Sequence, residues 1–223
     1  MYQKEKNEVI KAGIKLDRYG LVALSGGNIS VRLGEHVLVT PSGMIYEDMV
    51  EDDVLVVDLD GSIVEGTRKP SVDTSALLYI LKADETINAV IHTHQPYATA
   101  VGLVADELPC NLTTMANAVM GSALVAPYSS TATEQMGIEA VNYLQGRRAV
   151  ILKHHGVIAV GDSLKQALYA CIYLEEAAKT YAIAKSFGGE MAMLTEDQIE
   201  QAVDVFKYYG QNTPQYPGVK SKQ

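Results

Sequence analysis

The chain has no tryptophan, only two phenylalanines and only two cysteines among 223 residues. Cys110 and Cys171 lack the paired spacing of a thiolate metal site, and two cysteines cannot build a disulfide framework. They read as reduced, buried thiols. No apolar run approaches the ~20 residues of a helical membrane span, so none is expected. Positive charge is also scarce. Eighteen Lys and Arg stand against 27 Asp and Glu, a formal net charge of −9. General binding to nucleic acid needs Lys and Arg to replace counterions along the phosphates, and no basic stripe is present, so no nucleic-acid partner is expected. The opening MYQKEKNEV is polar and charged and lacks the apolar core of a secretory signal. These absences point to a cytoplasmic protein. An anionic small molecule remains compatible with the charge, provided backbone N–H groups, a helix N-terminus or a metal supply a local site.

What is present is an ordinary globular composition, 48% apolar and 20% charged. One core can serve up to about 250 residues, so a single domain over 1–210 is expected. A loose tail rich in Pro, Gly, Lys and Gln follows over 211–223. Val9, Ile10, Ile14 and Leu16 suit an amphipathic opening helix over 3–19. Ile29–Leu33 and Val37–Thr40 alternate like a hairpin around Gly34-Glu35-His36, which leaves His36 exposed in the turn. Residues 54–59 and 63–64 form a second hairpin around Asp60-Gly61.

A helix is expected from Asp73 to about Lys82, a buried strand over Ala89–His94, and a short helix over 95–104 opened by Pro96. Leu124–Ala126 reads as a strand and 133–145 as a helix. Ala149–Lys153 reads as a strand that Val157–Val160 continues. Ser163 with Gln166, and Thr195 with Gln198, are capping boxes that open the last two helices. The first of these runs to Gly188-Gly189 and the second to about Tyr209. The mixture of hairpins and helices predicts a three-layer α/β/α sandwich with a central mixed, mostly antiparallel sheet.

Four of the five histidines sit at the ends of two apolar runs. Side chains alternate along a strand, so His92 and His94 share a face with about 7 Å of backbone between them, within reach of one metal ion. A third imidazole from His154-His155, at another strand end, completes three protein ligands with an open fourth position. That is the layout of catalytic rather than structural zinc, and the lack of thiolate ligands agrees. Asp73 begins a helix, where a carboxylate either caps the helix or, if it faces the histidines, ligates a metal or moves a proton. Ser25-Gly26-Gly27-Asn28 has the makings of an anion nest, and Ser42-Gly43 and Ser71 offer similar donors.

Taken together, Gly27-Asn28-Ile29-Ser30, Thr40-Pro41-Ser42-Gly43, Pro70-Ser71-Val72-Asp73, His92-Thr93-His94, Ala126-Pro127-Tyr128 and His154-His155-Gly156 resemble the class II aldolase/adducin family in order and spacing, over roughly residues 5–210. The likeness leans to its L-fuculose-1-phosphate aldolase branch, with L-ribulose-5-phosphate 4-epimerase as the sister branch. It implies one zinc per subunit on His92, His94 and His155. It implies a substrate phosphate held by Ser25, Gly27, Asn28, Ser42, Gly43 and Ser71. Asp73 takes the acidic position beside zinc, and Tyr209 matches a C-terminal tyrosine that reaches the next subunit's site in a homotetramer.

The implied activity is zinc-dependent, reversible cleavage of a ketose 1-phosphate to dihydroxyacetone phosphate and a short aldehyde. A 4-epimerase, a sugar-phosphate dehydratase and a non-catalytic interaction module are the alternatives. Departures are specific. Asp73 stands where the fuculose-phosphate branch has Glu and the epimerase branch has Asp. Val72 replaces a serine of the phosphate motif. Thr113 takes the place of a tyrosine, and Asn117 that of an epimerase acid.

Overall fold

The computed structural model describes residues 1–211, 213–215 and 217. The expected loose tail therefore lies largely outside the described residues. Nine strands form one sheet in the order β4-β3-β2-β1-β5-β9-β8-β7-β6. The strands are β1 (Asn28–Leu33), β2 (His36–Val39), β3 (Leu55–Asp58), β4 (Ile63–Glu65), β5 (Ala89–Thr93), β6 (Glu107–Leu108), β7 (Ala123–Ala126), β8 (Ala149–Leu152) and β9 (Gly156–Gly161). Every neighbouring pair is antiparallel except β7 with β8. Seven α-helices flank the sheet among the described residues: α1 (Gln3–Arg18), α2 (Thr74–Ala83), α3 (Pro96–Val104), α4 (Thr113–Val119), α5 (Glu134–Leu144), α6 (Leu164–Ser186) and α7 (Glu196–Phe206).

The strands sort their side chains by parity, as the pleat requires. Ile29, Val31, Ala89, Ile91, Val157 and Ala159 pack with α1, α3, α4, α6 and α7 on one face. Val37, Val39, Val90, Val150, Ile158 and Val160 pack with α2 and α5 on the other. Burial on both faces explains why the central strands read as continuous apolar runs rather than as alternating ones. The result is the expected three-layer sandwich.

Three local expectations change. Residues 149–160 are not one strand. β8 and β9 are an antiparallel hairpin with Leu152 opposite Gly156. The chain reverses through Lys153–His155, with His154 in the left-handed region at φ 60°. Gly156 lies so close to β5 that a Cβ there would collide with the Thr93 carbonyl oxygen. The reversal carries His155 back over β5. The second change is α4, a helix of seven residues that the sequence reading passes over. His36 is half-buried rather than exposed, because the Tyr2 hydroxyl lies 3.0 Å from its Nδ1.

The capping boxes form largely as expected. Thr195 and Gln198 bond reciprocally at the start of α7. Ser163 accepts the Gln166 N–H at α6, while the Gln166 side chain accepts from Asp162 instead of closing the box. The last turn of α7 ends at Phe206, three residues before Tyr209.

Candidate metal centre and its surrounding loops

Strand ends create the site. β2, β5, β7 and β8 finish at one end of the sheet, where β1 and β9 begin. His92 lies on β5 and is fully buried. His94 follows it onto the surface, and His155 stands half-buried in the β8–β9 turn. One ligand nitrogen from each falls within 4.8 Å of the others. The ring centroids are 4.8 Å apart for His92–His94, 4.5 Å for His92–His155 and 5.3 Å for His94–His155.

Protonation follows from the partners. His92 Nδ1 lies 2.9 Å from the Val157 carbonyl oxygen. A carbonyl only accepts, so Nδ1 carries the proton and Nε2 keeps its lone pair. That Nε2 is 3.0 Å from His94 Nε2. Two imidazole nitrogens on one tetrahedral ion with bonds of 2.0–2.1 Å would stand about 3.3 Å apart, close to what is seen. Burial, then the His155 and His94 rings, hold His92 far below the ordinary imidazole range, against a smaller opposing pull from Asp73. Burial likewise lowers His94 and His155, again partly offset by the Asp73 carboxylate. Neutral imidazoles are the form that binds metal. His155 Nδ1 is buried with no hydrogen-bond partner. Three imidazole nitrogens, one from each ring, within 4.8 Å of one another fit a nitrogen-liganded divalent ion. The thiols stay out of it. Burial raises both Cys110 and Cys171, and neither joins the cluster.

Asp73 is buried and sits at the N-cap position of α2 without capping the helix with its side chain. Its Oδ2 instead accepts the Asn28 side-chain amide at 2.9 Å, and its Oδ1 accepts the Ala132 N–H at 3.1 Å. Of the two roles open to it from sequence, capping is therefore not the one adopted. Asn28 opposes His92 across the β1–β5 ladder. The loop before it packs tightly. Gly27 has φ 74°, and a Cβ there would lie 2.6 Å from the His92 carbonyl oxygen. Only glycine tolerates both demands. Ser25 is exposed beside it.

Ser42 and Ser71 are brought together by backbone pairing. The Ser42 N–H donates to the Lys69 carbonyl at 2.9 Å and the Ser71 N–H to the Thr40 carbonyl at 3.1 Å, on either side of a Pro41–Pro70 bridge. Gly43, at φ 71°, is exposed next to them. The loops carrying Ser25, Gly27, Asn28, Ser42, Gly43 and Ser71 thus flank the same sheet end as the histidines.

Tyr209 does not. It is 64% exposed, stacks on Phe206 with centroids 5.0 Å apart, and lines a cleft with Asn117, Met120, Arg148 and Tyr169. Arg148 immediately precedes β8, whereas His155 follows it. That cleft is therefore at the opposite end of the sheet from this chain's histidines.

Three polar groups escaped sequence reasoning. Glu175, buried on the apolar stripe of α6, accepts the N–H groups of Tyr97 and Ala98 at 2.9 Å each. It thereby closes the start of α3 directly behind His94. Burial raises its carboxyl pKa, and the two N–H bonds lower it in part. Gln95, fully buried, accepts the Thr93 hydroxyl and donates to the Cys171 carbonyl. The signal for Glu175 was available, as an acid at helical spacing among Leu168, Cys171 and Ala178. Nothing local marks the third group, the Ala132 N–H.

Comparison with known proteins agrees with this geometry. The profile of the Class II Aldolase and Adducin N-terminal domain family matches residues 7–182. The chain belongs to this family. Among its class II aldolase relatives is a 5-deoxy-D-ribulose 1-phosphate aldolase of Bacillus thuringiensis serovar kurstaki. It is 37% identical over 213 residues, which covers 95% of this chain and 99% of that protein. An L-fuculose phosphate aldolase of Escherichia coli K12 is 29% identical over 93% of this chain and 96% of its own. A solved L-fuculose 1-phosphate aldolase superposes with a TM-score of 0.85 at 34% identity, covering 91% of this chain and 95% of the other. This class II aldolase is accordingly a metal-dependent lyase of the fuculose-phosphate and deoxyribulose-phosphate aldolase type. No helix among the described residues is long and apolar enough to cross a membrane.

Proposed function

We propose that the chain catalyses reversible aldol cleavage of a ketose 1-phosphate to dihydroxyacetone phosphate and a short aldehyde, with zinc on His92, His94 and His155. The observation that carries this reading is the convergence of three neutral imidazoles beside a buried carboxylate, at a sheet end ringed by Ser- and Gly-bearing loops. A bound zinc ion supplies Lewis-acid polarisation of the substrate carbonyl.

The chain's own residues do the rest. His92 keeps its lone pair forward because Val157 holds its other nitrogen, a supporting bond of the kind that orients metal-ligating histidines. The phosphate rests on the loops of Ser25, Gly27, Ser42, Gly43 and Ser71. Asn28 has one remaining side-chain N–H to offer it. Val72, 54% exposed, adds an apolar surface where the family motif has a hydroxyl. In the cleavage direction the substrate hydroxyl gives its proton to solvent and becomes the aldehyde oxygen as the carbon–carbon bond breaks. The bond's electron pair stays on the dihydroxyacetone-phosphate carbon, and Asp73 takes up a proton from solvent. Asp73 then delivers a proton to the carbon that keeps the electron pair. Tyr209 acts at the aldehyde oxygen of a neighbouring subunit's site. Its position at the far end of its own sheet supports that assignment and a homo-oligomer, which we take to be a tetramer.

Two relatives are named for 5-deoxyribulose 1-phosphate and others for L-fuculose phosphate. We place a 5-deoxypentulose 1-phosphate first, ahead of L-fuculose 1-phosphate. The 4-epimerase reading has Asp73 in its favour, and the absence of free triose phosphate would identify it. The test is release of dihydroxyacetone phosphate from both substrates by zinc-loaded protein. No release from either ketose 1-phosphate would remove the aldolase assignment.

A further inference from the structure

Asn28 is 3% exposed, yet among the described residues its side chain has a single hydrogen-bonding partner, Asp73. A carboxylate accepts and does not donate, so the amide nitrogen must face it. The other end of the amide, Oδ1, is buried with no partner. The Asp73 bond alone therefore fixes which way this amide points. Asp73 in turn has one donor on each oxygen, Asn28 on Oδ2 and the Ala132 N–H on Oδ1. Two donors from separate elements fix the plane of the carboxylate, whereas a single one leaves it free to swing. Ala132 itself is a non-glycine residue at φ 59°. Backbone of that kind persists only where its surroundings hold it.

We propose that Asn28 is a positioning residue for Asp73: its amide holds the carboxylate in the plane from which Asp73 exchanges a proton with carbon. This rests on the reading of Asp73 given above, and it assigns Asn28 a role distinct from that of a phosphate donor. A phosphate-only role predicts that loss of Asn28 weakens binding. A positioning role predicts that the proton step slows while binding stays nearly intact.

The experiment follows carbon-proton exchange of dihydroxyacetone phosphate in D2O without aldehyde. In this assay a C–H bond breaks, its proton goes to Asp73 as the electron pair moves toward the carbonyl oxygen, and a solvent deuteron returns. The zinc-loaded wild type, Asn28→Ala, Asn28→Ser and Asn28→Asp are compared, with zinc content and melting temperature as checks of integrity.

Loss of a hydrogen bond to a charged group predicts that Asn28→Ala lowers the saturated exchange rate by about tenfold or more. The concentration for half-saturation should move by less than about threefold, well short of the change expected for a lost charged contact. Asn28→Ser, which keeps a donor, should recover part of the rate. Asn28→Asp, which cannot donate to Asp73 when both are ionised, should not. If Asn28→Ala does not fold, the contrast between Ser and Asp decides. An unchanged saturated rate with weakened binding would overturn the proposal.

Crystal structures of wild type and Asn28→Ala give a readout independent of the assay. The Asp73 carboxylate should leave its present plane in the variant, and an unmoved carboxylate counts against positioning. Failure of the underlying reading has its own signature, which is full exchange by Asp73→Asn.

Discussion

The two ends of the sheet hold their polar groups in opposite ways. At the histidine end the groups are short, buried and interlocked: His92 on Val157, Asp73 on Asn28 and Ala132, Gln95 on Cys171, Glu175 on the start of α3. At the other end, Arg148, Lys165, Lys207, Tyr169 and Tyr209 line an open cleft of about 470 Å³. Lys165 rests over the Tyr169 ring, and Lys207 pairs with Asp204 on the surface. Long solvated side chains with cheap partners are easily re-aimed. Buried ones with two fixed partners are not. The first end is preorganised, as electrostatic and proton-transfer catalysis demands. The second has the freedom that the proposed reach of Tyr209 into another subunit's site would need.

The sharpest break in that comparison is His92→Ala. It should lose stoichiometric metal and reduce activity to background, measured by metal analysis and triose-phosphate release. A variant that kept both zinc and full activity would contradict the assignment of the centre. Asp73→Asn follows, with activity down about 10²- to 10⁴-fold, the range for loss of a positioned acid or base. Metal content should be unchanged. At the opposite end, Tyr209→Phe should retain metal and lose less activity than Asp73→Asn. Mixed oligomers of the two variants should regain part of what each lacks, because one subunit then supplies an intact tyrosine to another's intact centre. Failure of mixing to restore any activity would place Tyr209 outside the neighbour's site.

The smallest effect lies away from both ends, at the sheet edge. The buried Lys6 ammonium meets Glu65 at 2.7 Å. Lys6 first, and the Met1 amino group second, hold the Glu65 carboxyl down at about 2. A carboxyl lowered on folding contributes stability above its unfolded pKa of about 4.3 and loses it as pH falls toward the folded value. Glu65→Gln should therefore lower the melting temperature at neutral pH and flatten its decline below pH about 4. Aldolase activity per folded molecule should stay the same.

Much of the histidine end was legible because its chemistry sits on a periodic signal. His92 and His94 share a strand parity, and His155 follows the next central run. The face-sorted core was legible for the same reason. What was hidden depends on chain reversals and long-range contacts. The stretches 149–152 and 157–160 are each uniformly apolar because both strands of the hairpin are central, so periodicity showed no change of direction across Lys153–His155. The left-handed His154 that makes the turn is not a residue type that announces one. α4 is short, and its two threonines and one asparagine are weak helix formers. Its boundaries come from packing against α6 and α7. Asn28 stands in a Gly/Ser/Asn cluster that reads as a loop of donors. Its pairing with Asp73, 45 residues away, needs the β1–β5 register to be seen. The address of Tyr209 at the far end is likewise a matter of topology, not of composition.

The central claim is that three imidazoles hold a metal that aldol cleavage requires. The direct measurement is dihydroxyacetone phosphate release from 5-deoxyribulose 1-phosphate and L-fuculose 1-phosphate, before and after chelation and after zinc is returned. The account predicts release that disappears with the chelator and returns with zinc. Release that persists at full rate in metal-free protein would contradict it.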